Sequence, residues 1–152
     1  MLYRRAGEAR MSDLDQRLTF VILWLFAMMN YIYGDIAMIF SLFVHPEQLA
    51  RLQQGLTAGG KEDLYFLGGA IFMNVAFLML PVSWLASHSV ARLANIGAGV
   101  IFTLAMAAIL LAPLGRGRMP PANYYSVFAL IEIIATVTIV WRAWNWKPAV
   151  TS

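Results

Sequence analysis

The stretch that decides the fold runs from Leu18 to Val44 and reads LTFVILWLFAMMNYIYGDIAMIFSLFV. It contains a single charged side chain, that of Asp35, within an otherwise almost continuous apolar run. A helix needs about 20 such residues to cross the hydrocarbon core of a bilayer. A membrane strand would instead alternate apolar and polar residues. The run therefore predicts a transmembrane helix.

Three further runs of the same kind follow at residues 64–87, 90–114 and 122–144. Hydrophobic residues make up 61% of the 152 positions and charged residues 12%, whereas soluble domains carry about 25% charged residues. A soluble domain of this size has too little interior to bury so much apolar surface. We therefore expect an all-α fold in which four transmembrane helices form an antiparallel bundle, with polar tails at residues 1–17 and 145–152.

A short surface helix is predicted in the first loop of this membrane domain, which spans residues 18–144. Pro46 suits the first turn of a helix, and Gly55 suits the position just past its end. One face of that helix would carry Leu49, Leu52 and Leu56. Such an apolar face predicts that the helix lies on the membrane or over the end of the bundle.

The ends of the first and last membrane helices also carry local signals. Ser12, with Asp15 three residues later, resembles a capping box, so we expect the first helix to start near Asp13, before the bilayer. Aromatic residues mark both ends of the last run, and these are Tyr124, Tyr125, Trp141, Trp144 and, just past its end, Trp146. Aromatic residues at this depth are typical of the belts that lie at membrane interfaces.

The positions of the basic residues predict the orientation of the bundle. Nine of the eleven Lys and Arg lie outside the apolar runs, and the other two, Arg92 and Arg142, lie near run ends. The side with both termini carries seven of these bases and the opposite side four, which predicts that both termini are cytoplasmic. Nucleic-acid binding is excluded, because that function needs a basic face with exposed aromatic residues between the charges.

Two acidic residues lie deep in the apolar runs, Asp35 in the first and Glu132 in the fourth. A carboxylate at such depth costs roughly 2.5 kcal/mol or more, so it usually faces the interior and has a function. Each apolar run places one hydrogen-bonding side chain about 13–17 Å below the predicted outer boundary, at a rise of ~1.5 Å per residue. These residues are Asp35, Asn74, Thr103 and Glu132. We therefore expect all four helices to contribute to one polar layer.

Further polar side chains extend this layer. Tyr31 precedes Asp35 by one turn, and Tyr125 lies two turns before Glu132 on the same face. The candidate residues for binding a proton or cation are Asp35, Glu132, Asn74, Tyr31, Thr103, Tyr125 and Asn30. No Lys or Arg is near enough along the chain to neutralise the acids. They are therefore protonated, share a proton, or hold a cation, a cationic substrate or a transported proton.

Two functions remain open at this point. The polar layer indicates a transport or binding protein that handles a proton or a small cationic molecule. Alternatively, the layer only locks the helices of a non-catalytic helper subunit or membrane-organising module. An enzyme is not expected, because the chain has no cysteine and its two histidines, His45 and His88, fall at opposite membrane faces. No cofactor or metal is expected for the same reason.

The third run is rich in small residues at a spacing of four, and these are Ala94, Ala98, Gly99, Thr103 and Ala107. Small residues allow helix backbones to approach closely in lipid. Two interpretations follow from this pattern. The third helix packs closely inside the bundle, or it provides the interface of a homodimer. The lipid bilayer is the remaining expected partner.

The chain also resembles an uncharacterised family of small bacterial four-helix membrane proteins, known as a domain of unknown function. The resemblance covers most of the chain and rests on residues 30–36 (NYIYGDI), 92–96 (RLANI), 124–125 (YY), 131–133 (IEI) and 141–146 (WRAWNW). It implies four helices and a location in the bacterial inner membrane. It implies no activity, because none is attached to that family.

Overall fold

The computed structural model describes residues 2–57, 62–112 and 124–147, and every regular element within these ranges is a helix. The helices are α1 (Leu2–Val44), α2 (Pro46–Thr57), α3 (Glu62–Leu85), α4 (His88–Leu111) and α5 (Tyr124–Asn145). All except α2 are long and apolar enough to cross a membrane. The predicted all-α fold, with four membrane helices and a short helix in the first loop, is confirmed.

The four long helices form an antiparallel bundle. α1 packs against α3 and α5, and α4 packs against the same two helices, so that α1 lies diagonally across from α4. The short helix α2 contacts α1 and α3. We call this end of the bundle the α2 end. The opposite end, where α3 is followed by α4 and where α5 finishes, is called the terminal end.

The tightest part of the core lies toward the terminal end. Phe20 and Trp24 of α1 and Phe102 of α4 are all 0% exposed. The Trp24 ring meets Phe102 edge-on with 5.4 Å between centroids, and Phe72 of α3 stacks on Phe102 at 4.0 Å. Aromatic pairs in these arrangements stabilise a core beyond the area that they bury. These rings therefore fix α1, α3 and α4 relative to one another.

Gly99 lies at a close approach of α4 to α5. A Cβ atom at this position would lie 2.6 Å from Val140 Cγ2 and 3.3 Å from the Thr136 carbonyl oxygen. Only glycine therefore fits without a shift of the neighbouring helix. Around Gly99 the small residues of α4, which is the third membrane helix, therefore pack inside the bundle. This is the first of the two interpretations, close packing within the bundle. The homodimer stays a prediction.

The start of α1 differs from the prediction. α1 begins at Leu2, whereas the capping-box pattern predicted a start near Asp13. The residues that precede Asp13 include Leu, Arg, Ala, Glu and Met, which are good helix formers, and the chain stays helical through them. Ser12 is therefore an internal helical residue. The other described helix ends fall close to the predicted bounds, within the usual uncertainty of assigning them.

Trp146 corrects the predicted aromatic belt. Trp141 and Trp144 are 64% and 67% exposed, as expected at a membrane surface, but Trp146 is only 6% exposed. Its ring packs against Phe20 with 5.3 Å between centroids and against His88 with 4.4 Å. Trp146 therefore belongs to the core and closes the terminal end of the bundle.

Among the described residues of α1 and α3, the buried positions stop before the α2 end of the bundle. Gly34 is the last buried residue of α1, and Ala76 is the first buried residue among those described on α3. Residues 66–71 of α3 are exposed on every face of the helix. A Cβ atom added to Gly68 or Gly69 would meet nothing within 4 Å. The first turns of α3 are therefore loosely packed against the other long helices.

Candidate functional site

Glu132 lies in the middle of α5 and is only 2% exposed, within a helix that is apolar enough to cross a membrane. The Nδ2 atom of Asn30, on α1, donates a hydrogen bond to Glu132 Oε1 at 3.0 Å. The same nitrogen donates to the carbonyl oxygen of Phe128, also at 3.0 Å. The Asn30 amide thus uses both of its hydrogens to join α1 to α5, and the donor bonded to the carboxyl group is neutral.

The contact between Asn30 and Glu132 is accompanied by a four-residue spacing on each of the two helices. Asn30 and Gly34 lie one turn apart on α1, and Phe128 and Glu132 lie one turn apart on α5. A Cβ atom on Gly34 would lie 3.7 Å from Phe128 Cγ, an ordinary van der Waals distance, so Phe128 packs beside α1 at this position. Because the two helices are antiparallel, the partner turn then places Asn30 opposite Glu132. The roles of Gly34 and Phe128 were missed in the sequence, although the paired spacings were visible there.

The Tyr31 hydroxyl group lies beside the Glu132 carboxyl group and interacts electrostatically with it and with Tyr125. The hydroxyl oxygen is buried and makes no hydrogen bond of standard geometry to any described residue. The contact between the Tyr31 hydroxyl group and the Glu132 carboxyl group is therefore a hydrogen bond of non-ideal geometry. Its ring is held edge-on by Phe72 at 5.8 Å and by Phe102 at 6.0 Å between centroids.

Asp35 lies one turn beyond Tyr31, at the edge of the core. Its side chain is exposed, and it follows Gly34 directly, where the burial of α1 ends. The Asp35 and Glu132 carboxyl groups are close enough to interact electrostatically. Five of the seven predicted residues therefore come together, and we call them the Glu132 cluster: Asn30, Tyr31, Asp35, Tyr125 and Glu132.

The two remaining predicted residues are placed differently. Thr103 Oγ1 and Thr136 Oγ1 share a hydrogen bond at 2.7 Å, and Thr136 follows Glu132 by one turn of α5. Thr103 therefore reaches the border of the cluster. Asn74 is exposed on α3, and its Nδ2 atom donates to the Ala70 carbonyl oxygen of the same helix at 2.8 Å. The hydrogen bonds described at this level join α1, α4 and α5 and do not include Asn74.

A second buried polar cluster lies nearer the terminal end, and we call it the Asn95 cluster: Trp24, Ser83 and Asn95. Asn95 is 0% exposed, and its Oδ1 atom accepts a hydrogen bond from Trp24 Nε1 at 2.7 Å. Its Nδ2 atom donates to Ser83 Oγ at 2.9 Å and to the Ala91 carbonyl oxygen at 2.8 Å. The sequence predictions gave these residues no role. An asparagine within an apolar run was the available signal.

Two arginines at the terminal end bind the carboxyl ends of neighbouring helices. Arg17 of α1 donates to the carbonyl oxygens of Ser83, Trp84 and Ala86, at 3.3, 3.2 and 2.8 Å. Arg92 of α4 donates to those of Ala143 and Trp144, both at 3.0 Å. The last carbonyl groups of a helix lack partners within it and carry partial negative charge, so cations stabilise them. Both arginines therefore serve the fold at a distance from Glu132.

Comparison with known proteins gives a family and no activity. A family model described as a family of unknown function (DUF6326) matches residues 11–151. No curated protein and no solved structure matches the chain. The family match extends over all four membrane helices and over every residue of the Glu132 cluster. The function must therefore be inferred from the residues themselves.

Proposed function

The chain belongs to the DUF6326 family of unknown function, and we propose that it is a small membrane protein that binds or transports a proton or a cation at Glu132. The observation that carries this proposal is a carboxyl group with 2% exposure whose bonded donor is the neutral amide of Asn30. Among the described residues no salt bridge reaches it. A buried carboxylate without a cation is costly in a membrane, so a proton or a bound cation would stabilise it.

The surroundings of Glu132 also suit a change of charge during function. An amide N–H group can donate to an ionised carboxylate and equally to the carbonyl oxygen of the protonated acid. The hydrogen bond from Asn30 is therefore compatible with both states. Asp35 supplies a second acidic group, which is exposed and lies within electrostatic reach of Glu132. We place this activity in the bacterial inner membrane, with both termini in the cytoplasm.

A non-catalytic helper subunit or membrane-organising module is the second candidate. It is favoured by the two hydrogen bonds of the Asn30 amide, which join α1 to α5 through Glu132 and Phe128. If the cluster is only a lock between helices, Glu132 keeps one protonation state throughout. A glutamine would then replace it without loss of function. Neither candidate includes a catalytic step.

Flux measurements on the purified protein in proteoliposomes separate the two candidates. We would impose gradients of pH, of monovalent metal ions and of organic cations, and follow internal pH with a dye. We expect the wild type to move protons or a cation, and Glu132→Gln to lose this movement while it keeps its helical content and elution volume. The matched control is Asp63→Asn, which neutralises an exposed acid in the first turn of α3.

Two outcomes would count against the transport proposal. The first is a wild type that shows neither flux nor ligand-dependent thermal stabilisation with any member of the panel. The second is a Glu132→Gln variant whose flux equals that of the wild type. Either result would favour the helper-subunit function, because that function requires only the hydrogen bonds between α1 and α5.

A further inference from the structure

We propose that the ligand of Glu132 is a proton, and that it reaches Glu132 from the α2 end through Asp35 and the Tyr31 hydroxyl group. This inference rests on the proposed function and specifies its ligand and its route. Three observations support it. Glu132 is tightly enclosed, Asp35 is exposed at the edge of the core, and the Tyr31 hydroxyl group is buried beside Glu132, to which it makes no hydrogen bond of standard geometry.

The packing around Glu132 favours a proton over a larger cation. The carboxyl group has 2% exposure, and Oε1 already accepts the Asn30 amide hydrogen at 3.0 Å. On the same helix, Ala129 and Ala135 are 2% and 4% exposed. A metal ion needs several oxygen ligands around it, and an organic cation needs a cavity of its own size. A proton binds a single oxygen atom and needs no such space.

Asp35 is the acid of the cluster that a proton from the α2 end meets first. Its side chain is exposed, whereas that of Glu132 is buried. Residues 66–71 of α3, at the same end of the bundle, are exposed on every face. The protein packing therefore ends on the side of the core where Asp35 lies. The Asp35 and Glu132 carboxyl groups interact electrostatically.

The Tyr31 hydroxyl group is suited to pass a proton between the two acids. Tyr31 and Asp35 are one turn apart on α1, so their side chains are neighbours on that helix. A phenol group both donates and accepts hydrogen bonds. Buried hydroxyl groups are normally bonded, and the Tyr31 hydroxyl group has the Glu132 carboxyl group beside it, although without standard hydrogen-bond geometry. The rings of Phe72 and Phe102 hold Tyr31 in place, so the hydroxyl group stays beside Glu132.

The transfer changes only O–H bonds. The Tyr31 O–H bond breaks as its proton passes to the ionised Glu132 carboxylate, and a new O–H bond forms on the Tyr31 oxygen with the proton that leaves the Asp35 carboxyl group. One proton thereby moves from Asp35 to Glu132, nothing is oxidised, and the reverse steps release it. Among the described residues, the titratable groups that interact with Glu132 are Asp35 and Tyr31, and Tyr125 interacts with Tyr31. α3 and α4 contribute the rings of Phe72 and Phe102.

The test combines proton flux in proteoliposomes with infrared spectroscopy of the carboxyl C=O band after a pH jump. The band that disappears in Glu132→Gln is assigned to Glu132. We expect Tyr31→Phe to slow both the flux and the change of this band about a hundredfold, the scale of a lost proton-transfer group. The final extent of protonation should stay the same. The matched control is Tyr33→Phe, because Tyr33 is on the same helix and 62% exposed.

A second variant tests the entry of the route. Asp35→Asn should slow the protonation of Glu132 from the α2 end, whereas the control Asp63→Asn should leave it unchanged. Asp35 is exposed, so its amide variant is expected to fold even where a change at the buried Tyr31 disturbs packing. Slower protonation in Asp35→Asn supports the route independently of Tyr31.

The outcomes distinguish this inference from the proposed function. If Glu132 titrates and protons move at wild-type rates in both Tyr31→Phe and Asp35→Asn, the route is wrong and the proposed function stands. If the wild type moves a cation while its Glu132 band does not change with pH, the assignment of the ligand to a proton is wrong and the proposed transport function stands. If the wild type moves and binds nothing, the proposed function itself falls.

Discussion

The two buried polar clusters of this bundle differ in the charge and the hydrogen bonding of their side chains. The Asn95 cluster consists of an amide, a hydroxyl and an indole group, all neutral, and they bond to one another across α1, α3 and α4. The Glu132 cluster contains a buried acid with a neutral donor, a buried hydroxyl group whose contact with that acid lacks standard hydrogen-bond geometry, and an exposed acid. A satisfied neutral network serves a fold. An incomplete network that contains an acid within a membrane indicates a function.

Arg17 and Arg92 also distinguish the two ends of the bundle. Arg17 and Arg92 bind the carboxyl ends of α3 and α5 at the terminal end, and the Arg17 guanidinium also lies 5.3 Å from the centre of the Trp146 ring. In contrast, no salt bridge connects Glu132 to a described residue. The terminal half is therefore held together by hydrogen bonds from arginine to helix ends. The α2 half, where burial ends, holds the group that is proposed to change charge.

The largest effect on stability is expected in the Asn95 cluster. Asn95→Ala should lower the free energy of unfolding by about 2–3 kcal/mol, because the Trp24 N–H group and the Ser83 hydroxyl group lose a buried partner. The matched control is Asn74→Ala, which removes an exposed amide bonded only to its own helix among the described contacts; we expect about 0.5 kcal/mol or less there. Reversible unfolding in mixed micelles measures both. Equal effects would mean that the Asn95 cluster is not a structural centre.

A smaller effect is expected where α4 approaches α5. Gly99→Ala places a methyl group 2.6 Å from Val140 Cγ2, and overpacking of this kind costs about 1–2 kcal/mol. Gly97→Ala is the control, because a Cβ atom there meets nothing within 4 Å and alanine favours the helix. Thermal unfolding in the same detergent compares the two variants. A Gly99→Ala protein as stable as Gly97→Ala would show that the contact between α4 and α5 adjusts freely.

The sequence predicted the helices well because their signal is composition along the chain. Four apolar runs identified the four membrane helices, and Pro46 with Gly55 identified α2, which spans Pro46–Thr57. The start of α1 was missed, because a capping-box pattern does not stop a helix whose preceding residues also favour helix. Length and polarity therefore determine which segments are helical, and local caps determine their ends less strongly.

The candidate site was predicted only in part, because depth in the membrane says nothing about rotation around a helix axis. Glu132 and Asn74 were placed at one level, yet Glu132 is buried and Asn74 is exposed. The Asn95 cluster was missed for the opposite reason. Its three side chains come from three helices, and their meeting depends on helix packing that no single run reveals. The pairing of Asn30 with Glu132 likewise depends on how α1 packs against α5.

The smallest effect on stability, and the sharpest contrast with the Asn95 cluster, is expected for the two acids. Glu132→Gln should change the free energy of unfolding by less than about 1 kcal/mol, because the glutamine oxygen can still accept the Asn30 hydrogen bond. Asp35→Asn should change it even less, since Asp35 is exposed.

The informative quantity is the coupling between these two changes, measured as a double-mutant cycle across a range of pH. The Asp35 and Glu132 carboxyl groups interact electrostatically, and neighbouring groups typically show couplings of about 0.5 kcal/mol or more. Where both carboxyls are ionised, either amide alone removes their repulsion, and the second amide gains nothing further. The double variant should then be less stable than the sum of the single effects predicts. The coupling should vanish at a pH low enough to protonate either acid. Additive effects at every pH would show that the two carboxyls titrate independently, and the Glu132 cluster would then be as static as the Asn95 cluster.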